Sequence, residues 1–202
     1  MIDNFALLNQ PRAPWLDEEE LKKVYHALST SLHPDRIHNL AQEEKTEAGR
    51  KFAELNGAYN CLREPKDRLR HLLQLEVGEK PTDIQTVPSD LMEWQFRLAA
   101  ICRQADKALA VNMASLSPLK KVECFQAAQE QIDALSALNH EFSTHREELH
   151  NELKSMGVDW CRTGSKTDIL IRLEQIYRLL GYFHRWMNQL QERITRLNLQ
   201  SL

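Results

Sequence analysis

Pro34 stands between two stretches of helical periodicity, and a proline there forces the chain to turn. Its ring disfavours the helical conformation of the residue before it, so His33 is driven to extended backbone and the helix ahead must end. That helix is read from Asp17 to Leu32, where Leu21, Val24, Tyr25, Leu28 and Leu32 recur at steps of three and four. Lys22, Lys23, His26 and Ser29 take the opposite face, and Asp17, Glu18, Glu19 and Glu20 crowd the first turn, where the helix dipole favours anions. Beyond the turn, a second run from about Glu43 to Leu62 places Ala48, Phe52, Leu55, Tyr59 and Leu62 on one stripe. Two apolar stripes joined by a short, stiff loop predict an antiparallel helical hairpin with a polar, partly basic outer face. Pro65 opens a further short helix carrying Leu69, Leu72 and Leu73, and Phe5, Leu7 and Leu8 add to the same small core, so residues 1–75 read as one domain. Phe52 and Tyr59 would be core residues, whose truncation to alanine costs about 3–5 kcal/mol when the ring is fully buried.

The spacing Tyr25-x-x-Leu28, the string His33-Pro34-Asp35-Arg36 and the pattern Leu55-Asn56-x-Ala58-Tyr59-x-x-Leu62-x-x-Pro65 resemble the J-domain family. Arg68-x-x-x-Leu72-Leu73, followed after a gap by Leu91-Met92-Glu93, is similar to the HscB family of J-domain co-chaperones in iron-sulfur cluster assembly. The resemblance implies a protein that is not itself an enzyme and that stimulates the ATPase of a DnaK/HscA-type chaperone. Its chaperone-binding residues would be His33, Pro34, Asp35 and Arg36, with Lys22, Lys23 and His26 on the adjoining helix. Asp35 is an anion able to accept charge-assisted hydrogen bonds from an arginine of the partner, and the basic face steers toward acid. The resemblance further implies an IscU-like iron-sulfur scaffold protein as client, held through Leu91, Met92 and Glu93, with Phe96 beside them. Gln95 departs from the family, which has a hydrophobic residue four after the leucine. A different client, or a dimerisation or targeting role for the C-terminal half, therefore stays open.

Composition agrees with that class. The 202 residues are 42% hydrophobic, enough chain for a J-domain and one more small domain. Neither the basic flank and apolar run of a signal peptide nor a membrane-length apolar stretch is visible, so the reading is cytoplasmic. A formal charge of -3 with interspersed signs leaves no basic stripe for nucleic acid. Cys61, Cys102, Cys124 and Cys161 are scattered, with no CxxC spacing. His140, Glu141, His145, Glu147, Glu148 and His150 cluster on one predicted helix, but no two of those histidines stand four apart as a ligand pair does, so no metal and no cofactor are assigned. No nucleophile–base pair or phosphate loop is present in the sequence either.

Between residues 76 and 88 the helical pattern lapses into Gly78, Pro81, Thr82 and Pro88, and this is the candidate linker. Residues 89–202 then read as a C-terminal client-binding domain of three helices. The first, capped by Ser89 or Asp90 with Glu93 completing a capping box, runs to about Ala110 with Leu91, Trp94, Leu98, Ile101, Cys102, Ala105 and Leu109 facing a core. Met92, Phe96 and Ala99 form a smaller strip to one side. The second starts at Ser117-Pro118, is lined by Leu119, Val122, Phe125, Ile132, Leu135, Leu138 and Phe142, and stops near Met156-Gly157. Its length of about 60 Å predicts a projecting end, which would make the bundle elongated, or a break, placed between Phe142 and Leu149. The third begins around Lys166, and its surplus of Tyr182, Phe183, Trp186 and Met187 is consistent with either a monomer core or the seam of a homodimer. The expectation overall is an all-α protein: an N-terminal J-domain hairpin plus a three-helix bundle.

Overall fold

The computed structural model describes residues 2–32, 41–81, 87–111, 116–160 and 166–200. Among them every regular element is helical: α1 (Asn4–Leu7), α2 (Glu18–Leu32), α3 (Gln42–Arg63), α4 (Pro65–Val77), α5 (Met92–Leu109), α6 (Pro118–Trp160) and α7 (Thr167–Gln200), with a 3₁₀ turn at Ser89–Leu91. They form two compact units. One comprises Met1–Thr82 with Leu149–Tyr177, the other Asp83–Glu148 with Arg178–Leu202.

In the first unit the chain begins with a capped turn. The Asp3 carboxylate accepts from the amides of Phe5 and Ala6 at 3.0 and 3.3 Å and from Arg12 Nε at 2.8 Å. These bonds hold Phe5 and Leu8 in the interior. Asp17 caps α2 by accepting from the Glu20 amide at 2.9 Å, and Glu44 bonds back to the Ala41 amide at 3.1 Å ahead of α3. Helices α2 and α3 meet through Tyr25, whose hydroxyl donates to Asn56 and whose ring stacks on Tyr59 at 4.2 Å. Leu21, Ala48, Leu55, Ala58 and Leu62 are buried, whereas Phe52 and Tyr59 are half-buried, so their truncation costs less than a fully buried ring would. Ser29 does not join the polar face either: it is buried, and its hydroxyl donates to the His26 carbonyl at 3.2 Å. Pro65 opens α4, and Gly78, at φ +88°, closes it by donating to Gln74 O.

Residues 149–177, which the sequence reading assigns to the C-terminal part, belong to this first unit. Leu149, Leu153, Trp160, Leu173, Ile176 and Tyr177 are buried there. Trp160 Nε1 donates to the Arg12 carbonyl at 2.6 Å, and the Lys166 ammonium lies 4.1 Å from the Trp160 ring centre. Gly157 does not stop α6. It gives the helix a notch, for a Cβ there would sit 3.3 Å from Trp15 Cβ, tighter than ordinary van der Waals contact.

The second unit packs α5 with parts of α6 and α7. Leu98, Cys102 and Ala105 of α5 are buried with Leu135, Leu138 and Phe142 of α6 and Leu180, Phe183, Trp186, Leu190 and Leu197 of α7. Phe142 lies 5.3–5.6 Å from the rings of Trp94, Trp186 and Phe183. Arg193 pairs with both oxygens of Asp106 at 2.9 and 3.0 Å. Tyr182, Phe183 and Trp186 are thus interior to this unit, whereas Met187 is half-buried. Three further expectations are corrected. Helix α6 is continuous across Phe142–Leu149, since no proline interrupts it and its apolar positions are buried on both sides of that stretch. Its first turns expose Leu119 (71%), Val122 and Phe125, because helical spacing marks a face without supplying a neighbour to cover it. Helix α5 starts after the 3₁₀ turn, with Leu91 at the cap position and no side-chain cap bond.

One polar group sits deep in the first unit. The Arg68 guanidinium is 3% exposed, donating from Nε to the Pro14 carbonyl at 3.0 Å and from Nη1 to the Leu62 carbonyl at 2.8 Å. Burial lowers its pKa from 12.5 to about 10, so it remains charged at neutral pH. Arg68→Ala would leave both carbonyls without this donor, at about 1–3 kcal/mol each, and Arg68→Lys would not recover the loss, since an ammonium lacks the planar fork. Urea denaturation at pH 7 measures both variants; wild-type stability in Arg68→Ala would contradict the assignment.

His71 supplies a second test. It is buried, its Nε2 accepts from the Asn4 amide at 3.0 Å, and its ring stacks on Phe5 at 5.7 Å. Burial pushes its pKa below the ordinary 6.5, so on acidification the unfolded chain takes up the proton first. This contribution to stability is therefore complete above pH 6.5 and is lost as pH falls below it toward the depressed value. Denaturation midpoints across that range should decline less in His71→Gln, which keeps an acceptor and does not titrate.

Candidate functional site

Two surfaces hold the residues singled out from sequence. The first is the outer face of α2. Lys22, Lys23 and His26 are all exposed there, because Leu21, Val24, Tyr25 and Leu28 turn the other side of the helix toward α3. Lys23 Nζ lies 3.6 Å from Glu20, and both side chains are largely solvated, so this pair holds the lysine only weakly. The His26 ring tilts against Tyr25 at 5.4 Å, and Thr30 Oγ1 donates to its carbonyl at 2.6 Å. His33, Pro34, Asp35 and Arg36 lie outside the described residues; they follow α2 directly in the chain. On the other arm of the hairpin, Arg50 is held by Glu47 and Glu54 on α3. The α2 face thus presents exposed cations, an arrangement suited to docking.

The second surface is the start of α5. The structure leaves Met92 (37% exposed), Glu93 and Phe96 (65% exposed) at the surface and puts Leu91 (5% exposed) in the interior. Leu91 therefore props the helix start from inside. Helical geometry accounts for the split: Met92 and Phe96 lie on the side away from Leu98, Cys102 and Ala105. Trp94, half-buried, takes Phe142 at 5.3 Å and His145 at 4.9 Å, with the Arg97 guanidinium 5.1 Å from its ring centre. Arg97 also donates to Glu141 at 3.0 Å, which raises the arginine pKa and lowers that of the carboxylate. Sequence reasoning missed this Arg97–Glu141 clamp, which ties the exposed strip to α6; the two residues are 44 apart, and only the antiparallel register of two helices pairs them. His145, grouped from sequence with metal-like neighbours, bonds Glu148 at 2.8 Å and stacks on Phe183 at 6.1 Å. Among the described residues no group of three or more His, Cys, Asp or Glu side chains is placed to hold a metal ion, and no helix is long and apolar enough to cross a membrane.

Residues 4–71 match the model of the DnaJ domain. Similar curated proteins include a co-chaperone protein HscB homolog of Azoarcus sp. (strain BH72), 32% identical over 98 residues, which are 46% of this chain and 55% of that one. Another, from Aeromonas salmonicida (strain A449), is 30% identical over 116 residues, 55% of this chain and 67% of that one. The matched stretch thus spans a little over half to two thirds of these relatives. Among solved structures, the chaperone HscB from Vibrio cholerae superposes with a TM-score of 0.64 at 18% identity, covering 95% of this chain and 96% of that one. The human co-chaperone protein HscB gives 0.55 at 20% identity, covering 95% and 81%. At such identities the superpositions speak to the fold: helices throughout, in the same arrangement along the chain. Because Phe96 is a surface residue, Phe96→Ser should leave the thermal midpoint of the full chain within about 2 °C, as exposed substitutions cost under ~0.5 kcal/mol, whereas Leu98→Ala should lower stability by about 2–5 kcal/mol.

Proposed function

We propose, from the premise that this chain belongs to the HscB family of J-domain co-chaperones, that it stimulates the ATPase of a DnaK/HscA-type chaperone and delivers to it an iron-sulfur scaffold protein of the IscU-like class. The observation that carries the proposal is the DnaJ-domain match over residues 4–71, on a hairpin whose α2 leaves Lys22, Lys23 and His26 exposed immediately ahead of His33-Pro34-Asp35-Arg36. In this reading the cations of α2 draw the hairpin toward an acidic face of the chaperone, and Asp35 accepts hydrogen bonds from a cation of the partner. ATP is hydrolysed on the chaperone. This chain supplies no catalytic group, and its work is done by docking. Met92, Glu93 and Phe96 supply the client surface, with Leu91 holding their helix turn from within. The same proposal places the protein in the cytoplasm and gives it no nucleic-acid or membrane partner and no cofactor of its own.

A second reading keeps the co-chaperone and changes the client. Gln95, standing where the family resemblance has a hydrophobic residue, favours it. The two are separated by titrating the full-length protein against the apo scaffold. Binding that is lost in Met92→Ala with Phe96→Ala supports delivery of the scaffold, and absence of binding together with intact ATPase stimulation supports another client. In the ATPase assay, His33→Gln or Asp35→Asn should abolish stimulation, and Lys22→Glu with Lys23→Glu should weaken it most at low ionic strength. Full stimulation by His33→Gln would remove the J-domain activity from the proposal.

A further inference from the structure

We propose that the free end of the second unit docks an acidic amphipathic helix of a partner protein, through the apolar ridge Leu119, Val122 and Phe125 of α6 and the lysines Lys120 and Lys121 around it. This end belongs to neither of the two surfaces described above, and the inference goes beyond the co-chaperone reading without depending on it.

The ridge lies where the unit's own helices do not cover it. At 100° per residue, Leu119 and Val122 stand about 160° and 140° around α6 from the buried Leu135, and Phe125 stands about 80° from it. All three are exposed, and so is Leu199 near the end of α7. Gln200 Nε2 donates to the Val111 carbonyl at 2.8 Å, so the last turn of α7 meets the connection that leads into α6, and Leu199 shares one end of the unit with the ridge. The apolar surface stops after two turns, for Gln126, Gln129 and Asp133 continue its line along the helix. Together the four side chains bare on the order of 400 Å² of apolar surface, the size of patches that serve as contact sites on single chains.

Spacing and charge decide the partner. Leu119, Val122 and Phe125 stand three residues apart, a row that forms a ridge on a helix, and such a ridge packs into the groove of a second helix. Lys121 stands one turn before Phe125 on the same side. The first two turns of α6 and the last two of α7 carry Lys120, Lys121 and Arg196 against Glu123 alone. Both lysines are exposed, and among the described residues neither has an ion-pair partner. The acids nearby are already engaged: Glu192 lies 3.8 Å from Arg196, and Asp106 takes both guanidinium bonds of Arg193 at 2.9 and 3.0 Å. A positive surplus around an apolar ridge, on a chain whose formal charge is -3, selects a helix with an apolar stripe and carboxylates beside it. Nucleic acid would call for a longer run of cations. A second copy would bring the same lysines to the seam, and the apolar patch is about half of the ~800 Å² per partner that a stable interface buries.

The test is fluorescence anisotropy of two labelled synthetic helices mixed with the full-length protein, one with leucines at steps of three and four flanked by glutamates, the other with lysines in place of the glutamates. The acidic helix should bind about tenfold more tightly than the basic one at low salt, with the difference shrinking at high salt. Val122→Ser with Phe125→Ser should weaken its binding by roughly thirtyfold, the loss typical of an interface anchor, and Lys120→Glu with Lys121→Glu by about tenfold at low salt. Phe96→Ala, on α5, should leave it unchanged. Circular dichroism monitors the fold of each variant, all the substituted positions being exposed. Equal binding of the two helices, or binding of the acidic one that survives Val122→Ser with Phe125→Ser, would overturn the inference. Binding lost in Phe96→Ala alone would assign the helix to α5 and overturn it as well. Sedimentation velocity covers the remaining occupant: a wild-type dimer that dissociates on Val122→Ser with Phe125→Ser would give this end to a second copy of the chain, against the inference.

Discussion

An arginine in an apolar interior organises the first unit. Arg68 reaches from the first turn of α4 to the Pro14 carbonyl, in the segment that leads into α2, and to the Leu62 carbonyl at the end of α3. A hydrophobic side chain at this position could fill the space but would leave both carbonyls without a donor. The cost of burying the guanidinium is visible in its lowered pKa, and the two bonds offset it. Once Pro14 is fixed, Trp15 is fixed with it, and Trp15 is the side chain on which Gly157 closes. The string Arg68-x-x-x-Leu72-Leu73, part of the family resemblance, thus has a physical reading: the arginine joins segments, and Leu72 and Leu73 on the same helix are buried.

Both candidate surfaces are outward faces of helices. The exposed groups of α2 and α5 include cations, carboxylates such as Glu18, Glu19, Glu20 and Glu93, and the apolar Met92 and Phe96, while His71 accepts a backbone bond and His145 sits among rings. In the proposed function, what matters is which side chains a rigid helix holds outward. That places the burden on the inner face of each helix, because a helix rotated by one residue would exchange Leu91 for Met92 and alter the docking surface entirely.

Much of the hairpin was legible in the sequence. Pro34 and Pro65 mark where helices cannot run, and the α2 and α3 stripes have a clear period, so the helix ends come within a residue or so of those expected. The period also found the buried Leu21, Leu55 and Leu62. It set Leu91 on the core face of its helix as well, with Met92 and Phe96 to one side, and Leu91 is buried while the other two are exposed. It also placed Leu119, Val122 and Phe125 in a core, since periodicity records an apolar face and not whether another element lies on it. The return of residues 149–177 to the first unit was invisible for a different reason. Its bonds, such as Trp160 to Arg12, join residues 148 apart in the chain, and nothing local to either encodes the other.

The two long helices have a consequence for how this protein can be divided. Helix α6 passes from one compact unit to the other at Glu148–Leu149 and α7 passes back at Tyr177–Arg178, both without leaving helical geometry. Cutting the chain at residues 76–88 would therefore not yield two finished pieces. The amino-terminal piece would lack the partners of Trp15 and Arg12, and the remainder would bare Leu153, Trp160, Leu173 and Ile176 to solvent as a sticky apolar end. Helical continuity also links the thermodynamics, for melting either unit leaves the other with frayed, half-supported helices. The units are distinct in packing yet inseparable as building blocks, so recombination with other J-domains would have to exchange the far ends of α6 and α7 along with the hairpin.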